Sequence, residues 1–218
     1  MIQRRASLGP VTTTGLRAQR RQRRLEFSRE HLLDAAEAVF GARGFPDATI
    51  KEIAERAELS VGAVYGIVDG KDDLLAQTLA RRGGELLQAM SAILGGDGAP
   101  RSLLHALADV QIEFFRRNPD FGRLWLRSSG PGHWGLSPAS LERLGGDVDR
   151  AMDLQAELIR RGQAVGNVRA GDAQVLARIF SGMVQAFQAS DPASVGDDGA
   201  ERLSLADFHA LVEGAFAP

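Results

Sequence analysis

The sequence predicts an all-α fold of about nine helices, three in a small N-terminal head and six in a larger body. Three observations lead there. Apolar residues recur every three or four positions along most of the chain, and no stretch alternates with the period of two that a strand requires. The breaks between these runs carry helix punctuation: Ser or Thr ahead of them, Gly behind them, Pro in their first turns. The chain also has 218 residues, 44% hydrophobic and 25% charged, which is ordinary for a globular protein and long enough for a real core.

Each element has a local reason. Residues 1–26 lack apolar periodicity and contain Gly9-Pro10 and Thr12-Thr13-Thr14-Gly15, so residues 1–24 are expected to form a flexible basic arm. Ser28 is the expected N-cap of a first helix that places Leu32, Ala36, Val39 and Phe40 on one face and stops at Gly44. Thr49, with Glu52 three residues on, predicts a capping box opening the second helix, whose buried stripe is Ile50, Ile53, Ala54 and Ala57. After the turn Glu58-Leu59, Ser60 caps a third helix containing Val64, Tyr65 and Val68. Asp69-Gly70 breaks the chain, and Lys71 begins a long fourth helix reaching about Leu94.

In the body, Pro100 suits the first turn of a helix that Asn118-Pro119 ends. A shorter helix is expected over Phe121–Arg127 and a loop over Ser128–Pro138. A long helix then runs from Pro138 to about Arg161. Two more are expected near Asp172–Ala189 and Leu203–Phe216, joined by a Gly/Asp-rich link.

Composition narrows the function. There is no cysteine, hence no disulfide framework or thiolate metal site. No run reaches the roughly 18 apolar residues that span a bilayer, and the Arg-rich N-terminus lacks the apolar core of a secretory signal. The expected setting is cytoplasmic, without membrane contact. His31, His105, His133 and His209 show no paired metal-site spacing, and neither a Gly-x-Ser-x-Gly elbow nor a phosphate loop is present. Neither an enzyme nor a cofactor is expected. The net charge of −2 conceals a polarity: seven arginines lie in residues 1–27 against the single acid Glu26, so the rest of the chain is acidic. A basic end on an acidic body suits nucleic acid met at that end only.

The head fits that partner. In a helix-turn-helix the first helix braces while the start of the second enters the major groove. Small residues there, Ser60, Gly62 and Ala63, allow close backbone approach, and the backbone amides, the Ser60 hydroxyl and Tyr65 can donate to phosphates. Lys71 adds a cation at the opposite rim.

The run Ala35-Ala36…Phe40…Gly44-Phe45, the pair Thr49-Ile50…Ile53-Ala54, the block Leu59-Ser60-x-Gly62-Ala63-Val64-Tyr65 and Lys71…Leu74 together resemble the DNA-binding domain of the TetR family of transcriptional repressors. The resemblance implies a helix-turn-helix domain over 25–85, with the motif at about 48–67. It further implies that residues 86–218 form a helical effector-binding and dimerisation domain. By the same resemblance the chain is a homodimer that binds a palindromic operator in double-stranded DNA and is released by a small molecule. The DNA face then comprises Thr49, Ser60, Val61, Gly62, Ala63, Tyr65 and Lys71, with Arg23 and Arg24 of the arm reaching a minor groove. The chain departs from the family at Ile67 and Val68, where an aromatic or histidine followed by Phe is usual, and Gly66 follows Tyr65 directly.

In the body, Phe114 and Trp125 are the expected walls of a largely apolar pocket, with His105 and His133 as its polar candidates. Phe180, Met183 and Phe187 form an i, i+3, i+7 stripe, which belongs either to the core or to the dimer interface. Two alternatives remain open: a DNA-binding regulator without an effector, architectural or activating, and a helical ligand-carrying module.

Overall fold

A computed structural model of the chain describes residues 13–128, 138–197 and 201–218, and among them nine α-helices and no strand. The helices are α1 (Thr13–Arg43), α2 (Ile50–Arg56), α3 (Val61–Tyr65), α4 (Lys71–Leu94), α5 (Pro100–Arg117), α6 (Pro119–Ser128), α7 (Pro138–Ala164), α8 (Ala173–Ser190) and α9 (Leu205–Phe216). A 3₁₀ turn, Pro192–Val195, follows α8. The loop expected over Ser128–Pro138 lies, for residues 129–137, outside the described residues, as do residues 1–12 of the expected arm.

The first helix corrects the sequence reading. It begins at Thr13, so Ser28 is a helix-interior residue and not an N-cap, and the described part of the basic arm is helical. Between Leu16 and Phe40 there is no Gly or Pro, and Arg, Gln, Leu and Glu all sit comfortably in a helix. The Gln22 amide also donates to Glu26 one turn on (2.8 Å). Helix propensity therefore prevails where no apolar stripe exists.

The head core forms where α1, α2, α3 and α4 bring Leu32, Ala36, Phe40, Ile53, Val64, Leu74 and Leu75 together. Phe115, Phe121 and Leu124 complete it, so the body's α5 and α6 are built into the head. The contact is close at Gly41, where a Cβ would lie 2.5 Å from the Asp120 carbonyl oxygen. Any larger residue there would push α6 off α1.

A second core joins α4, α5, α7, α8 and α9 through Met90, Leu104, Leu107, Ile112, Ile159, Phe180 and Phe208. Where α8 ends, Asp191 is fully buried and takes three bonds: from Arg116 Nε (2.7 Å), the Ser194 hydroxyl (2.8 Å) and the Leu203 amide (3.1 Å). Burial pushes the Asp191 carboxyl up, but Arg116 and the two donors outweigh it and hold it below its ordinary value. This one carboxylate fastens α5, the 3₁₀ turn and the entry to α9.

Candidate nucleic-acid interface

The reading unit is assembled from caps. Thr49 Oγ1 accepts the Glu52 amide (3.2 Å) while Glu52 Oε2 accepts the Thr49 amide (3.3 Å), the reciprocal pair expected from the sequence. Glu52 also binds Arg43 of α1 (2.7 Å), which ties the two helices at their ends. The turn after α2 is closed by Leu59 N–H to Ala54 O (2.9 Å) and Glu58 N–H to Glu55 O (3.2 Å). That pattern requires a left-handed residue, and Glu58 supplies it at φ 55°. Ser60 then accepts the Ala63 amide (3.1 Å) and starts α3.

These caps decide which side chains face outward. Val64 and Val68 are buried in the head, whereas Thr49, Ser60, Val61, Gly62, Ala63 and Tyr65 are exposed, with Val61 at 41% and Tyr65 at 57%. The helix is shorter than expected: it ends at Tyr65, with Gly66 as its C-cap. Ile67 and Val68 follow in the turn and anchor it to the core, so the unusual apolar pair sits beyond the helix and not on its outer side. A one-and-a-half-turn helix whose outward side chains are small apart from Val61 and Tyr65 can bring its backbone close to a surface.

Lys71 stands apart from this group. Its Nζ donates to the carbonyls of Phe45 (2.8 Å), Ala48 (3.0 Å) and Pro46 (3.2 Å) and lies 4.5 Å from the centre of the Phe45 ring. An ammonium has three protons, and these three carbonyls take them all. The expected phosphate cation is thus engaged as the clamp on the α1–α2 connector. The signal in the sequence for this role is the connector itself, Phe45-Pro46-Asp47-Ala48, whose carbonyls have no helix to accept from.

Arg23 and Arg24 are exposed on α1, some five turns before its junction with α6. The body residues are redistributed relative to expectation. Phe114 and Trp125 are half-buried against the head core, Phe114 edge-on to Phe121 (6.0 Å) and Trp125 tilted on it (6.1 Å). His105 is elsewhere, stacked on His209 of α9 at 4.4 Å. The three expected pocket residues therefore do not converge: two close the head–body junction and the third joins α5 to α9. His133 lies outside the described residues.

The expected dimer stripe is also turned inward. Phe180 is fully buried and packs on Phe216 (5.9 Å), and Phe187 packs on Phe208 (4.8 Å). Sequence reading missed a second stripe on the same helix: Val175, Ile179, Gly182 and Ala186, at i, i+4, i+7 and i+11, lie on its outer side, with Val175 and Ile179 exposed. A helix apolar on two faces has room for a second neighbour, and among the described residues Val175 and Ile179 on this outer face remain exposed.

Comparison with known proteins agrees with this architecture. Residues 32–78 match the family described as bacterial regulatory proteins, tetR family. The chain is 36% identical over 83 residues to the uncharacterized HTH-type transcriptional regulator TtgW of Pseudomonas putida, a match covering 38% of this chain and 62% of that protein. Among solved structures it resembles AibR in complex with isovaleryl coenzyme A and operator DNA (TM-score 0.72, 18% identity, 88% of this chain and 99% of that one). It also resembles FadR of Bacillus subtilis in complex with stearoyl-CoA (TM-score 0.70, 14% identity, 84% and 95%). Residues 32–78 thus carry a DNA-binding domain of the tetR family of bacterial regulatory proteins, and the chain as a whole has the fold of TetR-like regulators.

Proposed function

We propose that this chain is a ligand-responsive transcriptional repressor that binds a palindromic operator as a homodimer and leaves it when a small, largely apolar effector binds. The observation that carries the reading is the outward face of the helix-turn-helix. Thr49, Ser60, Val61, Gly62, Ala63 and Tyr65 are exposed together while Val64 and Val68 hold the same short helix to the core. Backbone amides at the start of α3, the Ser60 and Thr49 hydroxyls and the Tyr65 phenol are the groups that meet phosphates and bases; Lys71 acts from behind as the brace.

The dimer forms through the outer stripe of α8, Val175, Ile179, Gly182 and Ala186, joined by Leu211 and Gly214 of α9. A Cβ at Gly182 or Gly214 would meet nothing within 4 Å, and such bare positions let two helices approach closely. The acyl-coenzyme A bound to the two structural relatives makes acyl thioesters the first effector class to screen.

Selection of bound duplexes from a random library tests the core of this proposal. An inverted repeat should emerge, and Tyr65→Ala should weaken its binding by about 1.5–3 kcal/mol, the range for a hydrogen bond to a charged group. Enrichment of a single unrepeated site would overturn the dimeric repressor. Unchanged affinity in Tyr65→Ala would overturn the assigned face.

A further inference from the structure

We infer that the N-terminal half of α1 is a second DNA-contacting element, a rigid basic rod that lies along the phosphates flanking the site read by α3. The inference rests on the DNA-binding reading above and extends its footprint. Four features carry it.

Residues 13–27 contain five arginines against the single acid Glu26, and they are helical and continuous with the α1 of the head. At 100° per residue, positions 20, 21 and 24 share one face, and position 17 falls in the same register. The acids of α1 lie on a different face: Glu26, Glu30, Asp34 and Glu37 follow each other at i, i+4, i+8 and i+11. Three of them are already engaged by α4, since Arg81 binds Glu30 (3.1 Å), Asp34 (2.9 Å) and Glu37 (3.1 Å), and Arg82 binds Glu37 (2.7 Å).

Along α1 the ion pairs among the described residues begin only at Glu30, so Arg20, Arg21, Arg23 and Arg24 are exposed without an acidic partner among those residues. Finally, α1 meets the body through its other end, at Gly41. Arg24 lies 17 residues earlier, about 26 Å along the helix axis, and the rod points away from that junction. A cationic face that is unneutralised and rigid matches a row of phosphates. A helix is too wide to lie within a narrow minor groove as an extended arm does, so the contact is with backbone and independent of sequence.

The test uses full-length protein and a random-sequence B-form duplex several helical turns long, with affinity measured across a salt series. Arg20→Gln, Arg21→Gln and Arg24→Gln are combined in one variant; glutamine keeps the helix, which circular dichroism verifies. The expected result is a shallower slope of log K against log salt, by about 0.9 for each phosphate no longer neutralised, roughly 2–3 per protomer, with the slope restored by lysine at the same positions. An unchanged slope in a protein that still loses binding through Tyr65→Ala would overturn the rod and leave the helix-turn-helix reading intact. A wild-type protein that binds no duplex would overturn both. Preferential binding of the wild type to phosphatidylglycerol vesicles over the duplex would assign the stripe to a membrane surface and overturn the proposal.

Discussion

At the scale of single residues, several side chains have roles that their type alone does not announce. Lys71 is the clearest. Its position at the start of α4 reads as a phosphate cation, yet its three protons go to carbonyls of the connector between α1 and α2. Lys71→Ala should leave a half-buried carbonyl cluster without donors and destabilise the head by about 1.5–3 kcal/mol. A lower melting temperature with an unchanged salt slope of DNA binding would confirm the brace; an unchanged melting temperature would refute it. Glu58 is a second case. It holds the left-handed position of the α2 C-terminal turn at φ 55°, a conformation that costs a side chain about 1–2 kcal/mol and glycine almost nothing. Glu58→Gly should therefore stabilise the helix-turn-helix, less the extra entropy glycine adds to the unfolded chain, and raise the melting temperature by a few degrees.

At the scale of elements, the joints between helices are more informative than the helices themselves. The α5–α9 joint contains two stacked imidazoles in a ring of charge. His209 Nε2 is 2.7 Å from Asp109, and His105 Nε2 is 3.2 Å from Glu213, which also pairs with Arg101. Burial lowers the affinity of His105 for a proton, the neighbouring His209 and Arg101 lower it further, and Asp109 only partly offsets them. The folded value thus lies below 6.5, so the folded state takes up this proton later than the unfolded chain does. The stability from neutral His105 is complete above pH 6.5 and is lost as pH falls below it through the folded value. A melting-temperature series should show this acid limb, and His105→Phe, which keeps a ring for stacking, should flatten it. An identical profile in the variant would rule out His105 as its source.

At the scale of the molecule, the two cores are joined by α4 and α5, which give Leu75 and Phe115 to one and Met90 and Leu107 to the other, and α8 presents apolar residues on both sides. The inner side is used within the chain; the outer side is exposed at Val175 and Ile179, at 47% and 48%, and Leu211 of α9 is exposed as well, at 63%. A charge placed there disturbs nothing inside the protomer. Ile179→Glu is expected to leave the melting profile of the protomer nearly intact but convert a dimer into a monomer in sedimentation, with loss of cooperative binding to an inverted repeat. A variant that remains dimeric would move the interface elsewhere.

The sequence by itself determined every helix from α2 to α9 to within a few residues, because each begins or ends on a residue whose backbone preference is local: Thr49, Ser60, Gly70, Pro100, Asn118, Pro138, Asp172, Ser204. It also determined the exposed face of α3, since small residues and a capping serine have local signatures. The α1 extension was hidden for the converse reason. An apolar stripe is what marks a helix packed on a core, and a solvated helix of arginines needs none.

Only the tertiary structure decided which partner each side chain meets. Periodicity shows that Phe180, Met183 and Phe187 share a face, but not whether that face looks at α9 or at another protomer. Aromatic type places Phe114 and Trp125 near apolar surroundings, but the head core and a ligand pocket are equally apolar. Lys71 faces phosphate or carbonyl according to a connector 23 to 26 residues away in sequence. Local conformation is set by short-range sterics and hydrogen bonds that the sequence carries in plain order. Partner choice depends on contacts between residues far apart in the chain, and those exist only once the helices have packed.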